Sequence, residues 1–149
     1  MADDNVWSDE WDPGEDWSGG GGLGKRLPRG DVLGASVYEL GRGSFVVYHF
    51  HHGAEELMIV LRGTPTLRTP DGERVLSEGA VAHFPAGPAG AHGVRNDSDE
   101  PVRFVMVSDH PSPEVVEYPD LGQITAQART GSQTGERLWI VHDVPKADG

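Results

Sequence analysis

Beyond Gly24, no stretch of ten or more residues in this 149-residue chain carries an apolar period of 3.6, so a helical core is excluded. Short β-branched and aromatic runs stand in its place, punctuated by Gly, Pro and Asp. Runs 32–40 and 45–51 flank the turn signal Gly41-Arg42-Gly43, followed by 57–61, and runs 64–69 and 73–77 flank Pro70-Asp71-Gly72, a tight hairpin signal. Further strands are expected at 81–84, 93–96, 102–108, 115–118 and 138–141, with 124–129 ambiguous between strand and irregular chain. About eight or more short strands at this spacing predict an all-β sandwich or a small closed barrel, with room for an enclosed pocket.

Length allows about one domain. There is no cysteine, which excludes thiolate metal sites, disulfides and cysteine nucleophiles. The N-terminus lacks a basic segment followed by an apolar one, and no run approaches the roughly 20 apolar residues of a membrane span, so a cytoplasmic protein is expected, with no membrane partner. The formal charge of −12 argues against a nucleic-acid partner. Seven acidic residues precede the first basic one, Lys25, so the body is only mildly acidic. Residues 1–24 are acidic and end in a glycine-rich stretch, a composition that reads as a disordered tail. Trp7, Trp11 and Trp17 pull the other way, because indoles are costly to leave in water, and a docking arm is the alternative. Residues 25–149 are then one barrel domain with a C-terminal extension.

Within run 45–51, His49 and His51 are two apart, so the period of a strand points both imidazoles to one face. With Glu56 and, 36 residues later, His92, they look like one metal shell. Three neutral imidazoles and one carboxylate suit Fe, Mn, Ni or Zn better than Ca or Mg, and leave one or two positions for water or substrate. The plainer alternative is that His49 and His51 only hydrogen-bond at a strand edge.

Two segments carry a family resemblance. The first runs Gly43-Ser44-Phe45-Val46-Val47-Tyr48-His49-Phe50-His51-His52-Gly53-Ala54-Glu55-Glu56 and on to Gly63; the second runs Gly79-Ala80-Val81-Ala82-His83-Phe84-Pro85-Ala86-Gly87 and on through His92 to Asn96. Over roughly residues 32 to 110 the chain resembles the cupins and carries both of their motifs. One departure is that four residues separate Gly87 from His92 where the usual pattern has two, which reads as a lengthened loop in an intact motif. The resemblance implies a double-stranded β-helix, a jelly-roll-like barrel, with His49, His51, Glu56 and His92 as ligands to one divalent transition metal. It also implies a homodimer through edge strands, for which 137–141, with Trp139, is the candidate segment. Glu56 rather than Glu55 is expected to face the metal, since it stands at the family's spacing before Gly63.

Other candidates carry weaker signals. His83 is a candidate acid or base if it turns inward, and Arg62 a candidate partner for an anionic substrate. His52 is expected on the opposite face from His49 and His51, while His110 and His142 carry no site signal. Strand alternation places Phe45, Val47, Met58, Val60, Phe104 and Met106 around a mainly apolar cavity for a small organic molecule. The reading favoured on these grounds is a small-molecule metalloenzyme performing a dioxygenase-like oxidation with Fe(II). The alternatives are a metal-dependent isomerase, decarboxylase or lyase, a noncatalytic metal or metabolite sensor, and a structural protein.

Overall fold

The computed structural model describes residues 4–14, 16–129 and 137–145. Its strands are, in chain order, β1 (Gly19–Gly20), β2 (Leu23–Arg26), β3 (Leu33–Leu40), β4 (Phe45–His51), β5 (Glu56–Arg62), β6 (Thr66–Thr69), β7 (Gly72–Val75), β8 (Val81–Phe84), β9 (His92–Arg95), β10 (Val102–Asp109), β11 (Glu114–Tyr118), β12 (Gln123–Arg129) and β13 (Arg137–Asp143). There is no α-helix among the described residues, only a single 3-10 turn at Pro88–Gly90, and no helix is long and apolar enough to cross a membrane. All strand pairs are antiparallel. One sheet runs β13-β12-β11-β4-β9-β6-β7 with β1 beside β4, and the other runs β2-β3-β10-β5-β8. The two sheets form the jelly-roll-like double-stranded β-helix. Between them lies one apolar cluster built from Leu40, Met58, Val60, Leu67, Phe84, Val94, Val102 and Phe104 with their neighbours.

Two register slips decide which side chains face inward. On β4, Val46 pairs with Val94 but His49, not Tyr48, pairs with His92, so one extra residue is accommodated between them. Val46 therefore packs on the core, and Phe45 and Val47 leave the face that His49 occupies. Phe45 is exposed and covers Gly20, and Val47 lies against Gly19. On β5, Phe104 pairs with Val60 and Arg103 with Arg62, which bulges Leu61 and turns Arg62 to the outer face that carries Arg103.

Residues 4–14 lie against the second sheet from outside, residues 19–20 pair with β4 of the first sheet as β1, and residues 23–26 form the edge strand of the second sheet as β2. Two cations on that sheet are fully buried beneath them, Lys25 and Arg103. Lys25 Nζ donates to the carbonyls of Asn5 and Ser8, and Arg103 donates to Glu39, to Asp9 and to the carbonyls of Val6 and Ser8. Both also approach the Trp11 ring, and Trp17 packs edge-on against Tyr38 with Gly24 flush beneath its indole, where any Cβ would collide with the ring. Indole burial and these charge-assisted bonds offset the ordering entropy of the glycine-rich chain. Residues 1–3 and 15 of the expected tail, and 130–136 and 146–149 of the C-terminal extension, lie outside the described residues.

Candidate metal centre

β4 brings His49 and His51 to one face, β5 opens with Glu56, and β9 opens with His92 directly across from His49. All four meet around one carboxylate oxygen. Glu56 Oε1 lies 2.7 Å from His51 Nε2, 3.3 Å from His92 Nε2 and 3.7 Å from His49 Nε2. The donor atoms of His49, His51 and Glu56 lie within 4.8 Å of one another, as one small cation requires, and His92 closes the fourth side, its ring 4.6 Å from that of His49.

Each imidazole is held by its other nitrogen. Nδ1 of His49 donates to the Val47 carbonyl at 2.6 Å, Nδ1 of His51 to Glu114 at 2.5 Å, and Nδ1 of His92 to the Gly90 carbonyl at 2.8 Å. With the proton committed to Nδ1, the Nε2 lone pair of every ring points at the centre, the tautomer a metal needs. With every ring proton on Nδ1, the buried His51 Nε2, Glu56 Oε1 and His92 Nε2 face one another as acceptors with no donor between them, although buried polar atoms are nearly always satisfied. A divalent transition metal would satisfy all of them, and a set of three imidazoles and one carboxylate fits Fe, Mn, Ni or Zn.

Electrostatics carry the same message. Burial favours protonation of Glu56, yet hydrogen bonding from His49, His51 and His92 holds its carboxyl well below the usual range. Burial lowers the His49 imidazole. At His51 burial also lowers the pKa, but hydrogen bonding to Glu114 and then Glu56 outweighs it and pushes the value up to about 10. Without a cation, a proton on His51 balances the two carboxylates.

The lengthened loop within the second motif is absorbed locally. The 3-10 turn Pro88–Gly90 takes up the extra residues, and the Gly87 N–H donates to the His51 carbonyl at 2.7 Å, tying the loop to β4. Gly90 sits so close to the Pro85 carbonyl that an added Cβ would lie 1.7 Å from its oxygen. His92 emerges in register, its ring stacked on Phe84 at 3.7 Å.

A cavity of about 520 Å³ opens beside His51 and Glu56, and its lining departs from the apolar one expected. Of the six apolar candidates, only Met106 reaches it; Met58, Val60 and Phe104 are spent in the core, and Phe45 and Val47 are turned away by the slip on β4. The cavity is lined instead by Arg26, Arg29, Tyr38, Glu114, Gln127, His110 and three serines, Ser36, Ser108 and Ser112. Burial, reinforced by Glu56, pushes the Tyr38 phenol up to about 12, so it is a donor and not a base at neutral pH.

The two catalytic candidates lie elsewhere. His83 is on the exposed face of β8 and pairs with Glu55 at 2.9 Å, which also accounts for Glu55 pointing away from the centre. Arg62 stands over the Trp7 ring at 5.9 Å, at the far end of β5 from Glu56. His52 pairs with Glu117 on the outer surface, away from the face of His49 and His51, and His142 is exposed. Arg26, Arg29, Tyr38 and Glu114 were not singled out from sequence: none stands at a motif spacing, and Glu114 meets His51 across 63 residues.

The family model of the cupin domain matches residues 36–108. A sugar phosphate isomerase of the cupin superfamily from Silicibacter pomeroyi shares the fold at TM-score 0.71 and 23% identity, over 86% of this chain and 82% of its own. A protein assigned as a sugar phosphate isomerase from Acidithiobacillus ferrooxidans superposes at TM-score 0.67 and 25% identity, over 81% and 76%. A polyketide cyclase from Streptomyces resistomycificus matches at TM-score 0.55 and 22% identity, over 62% and 68%. No curated protein matches the chain.

Proposed function

We propose that this chain, a member of the cupin superfamily through its domain at residues 36–108, holds one divalent transition metal on His49, His51, Glu56 and His92 and catalyses proton-transfer chemistry, of the isomerase or lyase kind, on a small hydrophilic molecule. The observation that carries this reading is the convergence of three Nδ1-anchored imidazoles on one carboxylate oxygen, beside a polar cavity. When bound, the metal polarises a carbonyl or hydroxyl oxygen of the substrate. Glu114 keeps the proton on His51 Nδ1, and Tyr38, protonated at neutral pH, can donate to a substrate oxygen. The likeness at 25% identity to a protein assigned as a sugar phosphate isomerase supports the reaction class.

Oxygenation by Fe(II) is the second reading. The donor set is compatible with it, but the polar lining of the cavity favours the first reading. Elemental analysis of anaerobically purified, untagged protein tests both readings. About one metal per chain is expected, with deuterium taken up from D₂O into a sugar phosphate for the isomerase or lyase class. Substrate-dependent oxygen uptake by the iron form would move the assignment to an oxygenase. Stoichiometric metal with neither activity would leave a binding protein, and no metal after reconstitution would remove the proposal.

Gly90 offers an independent check on His92. Gly90→Ala would drive a Cβ into the Pro85 carbonyl and shift the carbonyl that orients His92. Metal affinity is expected to fall about 10- to 100-fold, the usual cost of disturbing a group that orients a ligand. Titration with Zn²⁺ or Mn²⁺ measures it, and wild-type affinity would show that His92 does not bind the ion.

The chain is further proposed to pair with a second copy through β13, the open edge of its sheet, where Leu138, Trp139, Ile140 and Val141 are all more than half exposed. Antiparallel self-pairing centred on Ile140 would set Trp139 beside the partner copy's Val141, a self-complementary register. Trp139→Ala should weaken association, read as mass by light scattering across a dilution series; an unchanged dimer at low concentration would place the interface elsewhere.

A further inference from the structure

We propose that Arg26 and Arg29 form an anion subsite at the mouth of the cavity, one that selects phosphate monoesters of small polyhydroxy compounds. This deepens the reading of the cavity as the substrate site of a metal-dependent enzyme and rests on it. Only 12 of the 149 residues are Lys or Arg and the net charge is −12, yet two arginines line the cavity that His51 and Glu56 also line. On so acidic a chain, a paired cationic rim favours anions at this entrance.

Both arginines are held on ordered backbone. The Arg26 N–H donates to Asp12 at 2.8 Å and its guanidinium lies 5.0 Å from the Trp17 ring centre, a contact that engages its charge rather than its N–H donors. Arg29 sits in the loop closed by the bonds from Leu27 N–H to the Ala35 carbonyl and from Gly30 N–H to the Leu33 carbonyl, each 2.9 Å. A guanidinium presents a planar fork of donors that matches a phosphate two oxygens at a time.

The lining between rim and metal end suits the rest of such a molecule. Ser36 and Ser108 offer hydroxyls, Tyr38 a phenol donor, and Asp31 a carboxylate able to accept from a hydroxyl. Glu114 is engaged with His51 and Gln127. A volume of about 520 Å³ lies in the range of sites for small metabolites. Arg26 and Arg29 also precede the matched domain at residues 36–108. The β-helix supplies the metal shell, and the segment before it supplies the selectivity.

The test compares glucose 6-phosphate with glucose, at fixed ionic strength, on the Mn²⁺-loaded full chain by calorimetry. Wild type should bind the phosphate ester about tenfold or more tightly than the sugar, since each charge-assisted contact contributes on that scale. Arg26→Gln with Arg29→Gln should erase the preference without lowering metal content; both residues are exposed, so the fold is not at stake. Arg42→Gln, outside the cavity and paired with Asp99, controls for net charge and should keep the preference. A preference that survives the double substitution, or none in the wild type, overturns the subsite. A preference that follows the two arginines in a protein that holds no stoichiometric metal supports the subsite and sinks the metal-dependent reading instead.

Discussion

His51→Ala is expected to abolish stoichiometric metal binding, while His52→Ala leaves it at the wild-type level. The two residues are adjacent where β4 ends but point to opposite sides: His51 stands 2.7 Å from Glu56 at the buried centre, and His52, just past the strand, pairs with Glu117 at the surface. Loss of a direct ligand should exceed the roughly 10- to 100-fold penalty of altering an orienting group, for which Glu114→Gln serves as the internal standard. A thermal readout separates metal loss from misfolding. With metal present at about a thousand times its Kd, binding stabilises the folded state by about 4 kcal/mol, or roughly 10 °C for a chain of this size. Wild type and His52→Ala should show that rise on metal addition, and His51→Ala should melt at one temperature with or without it. Glu56→Gln against Glu55→Gln applies the same comparison to the carboxylate, since Glu55 is turned out toward His83. Equal metal content in the two histidine variants would sink the ligand assignment.

The convergence of His49, His51 and Glu56 was legible because both of its determinants are local. Alternation along β4 puts His49 and His51 on one side, and the spacing to Glu56 spans one turn into the neighbouring sheet. His92 was legible from the second motif despite the longer loop, and the 3-10 turn at Pro88–Gly90 shows how the extra residues are taken up without shifting it. What alternation could not reveal is where it breaks. A one-residue slip on β4 exchanges Val46 for Phe45 and Val47, and another on β5 sends Arg62 outward; each inverts the facing of every side chain beyond it on that strand. The apolar cavity expected from sequence rested on that unbroken period. The polar lining that replaces it is assembled from β2, β3, β10, β11 and β12 and from the loops after β2 and β10, segments with no common spacing in the chain.

The N-terminal segment was hidden for the same reason at longer range, since its main anchor, Arg103, lies more than 90 residues away. That anchor yields the second large expected effect. Arg103→Met keeps much of the side chain's volume but removes a fully buried cation, leaving the largely buried Glu39 carboxylate and the carbonyls of Val6 and Ser8 without their donor. Breaking a buried pair from one side typically costs about 3–5 kcal/mol, which for a chain of this size lowers the melting temperature by roughly 10 °C. Arg42→Met, which breaks an ion pair exposed on both sides, should change stability by less than about 1 kcal/mol. Denaturant unfolding gives the difference, and limited proteolysis locates it, because cleavage in Arg103→Met should begin before residue 26 while the β-helix persists. The consequence reaches the cavity. Arg103 clamps residues 6–9, the same segment leads into β2, and β2 ends in Arg26 at the cavity mouth. Loosening the clamp should therefore weaken phosphate-ester binding while His49, His51, Glu56 and His92 keep their metal. Metal and ester lost together would mean that the segment holds up the whole barrel rather than its entrance.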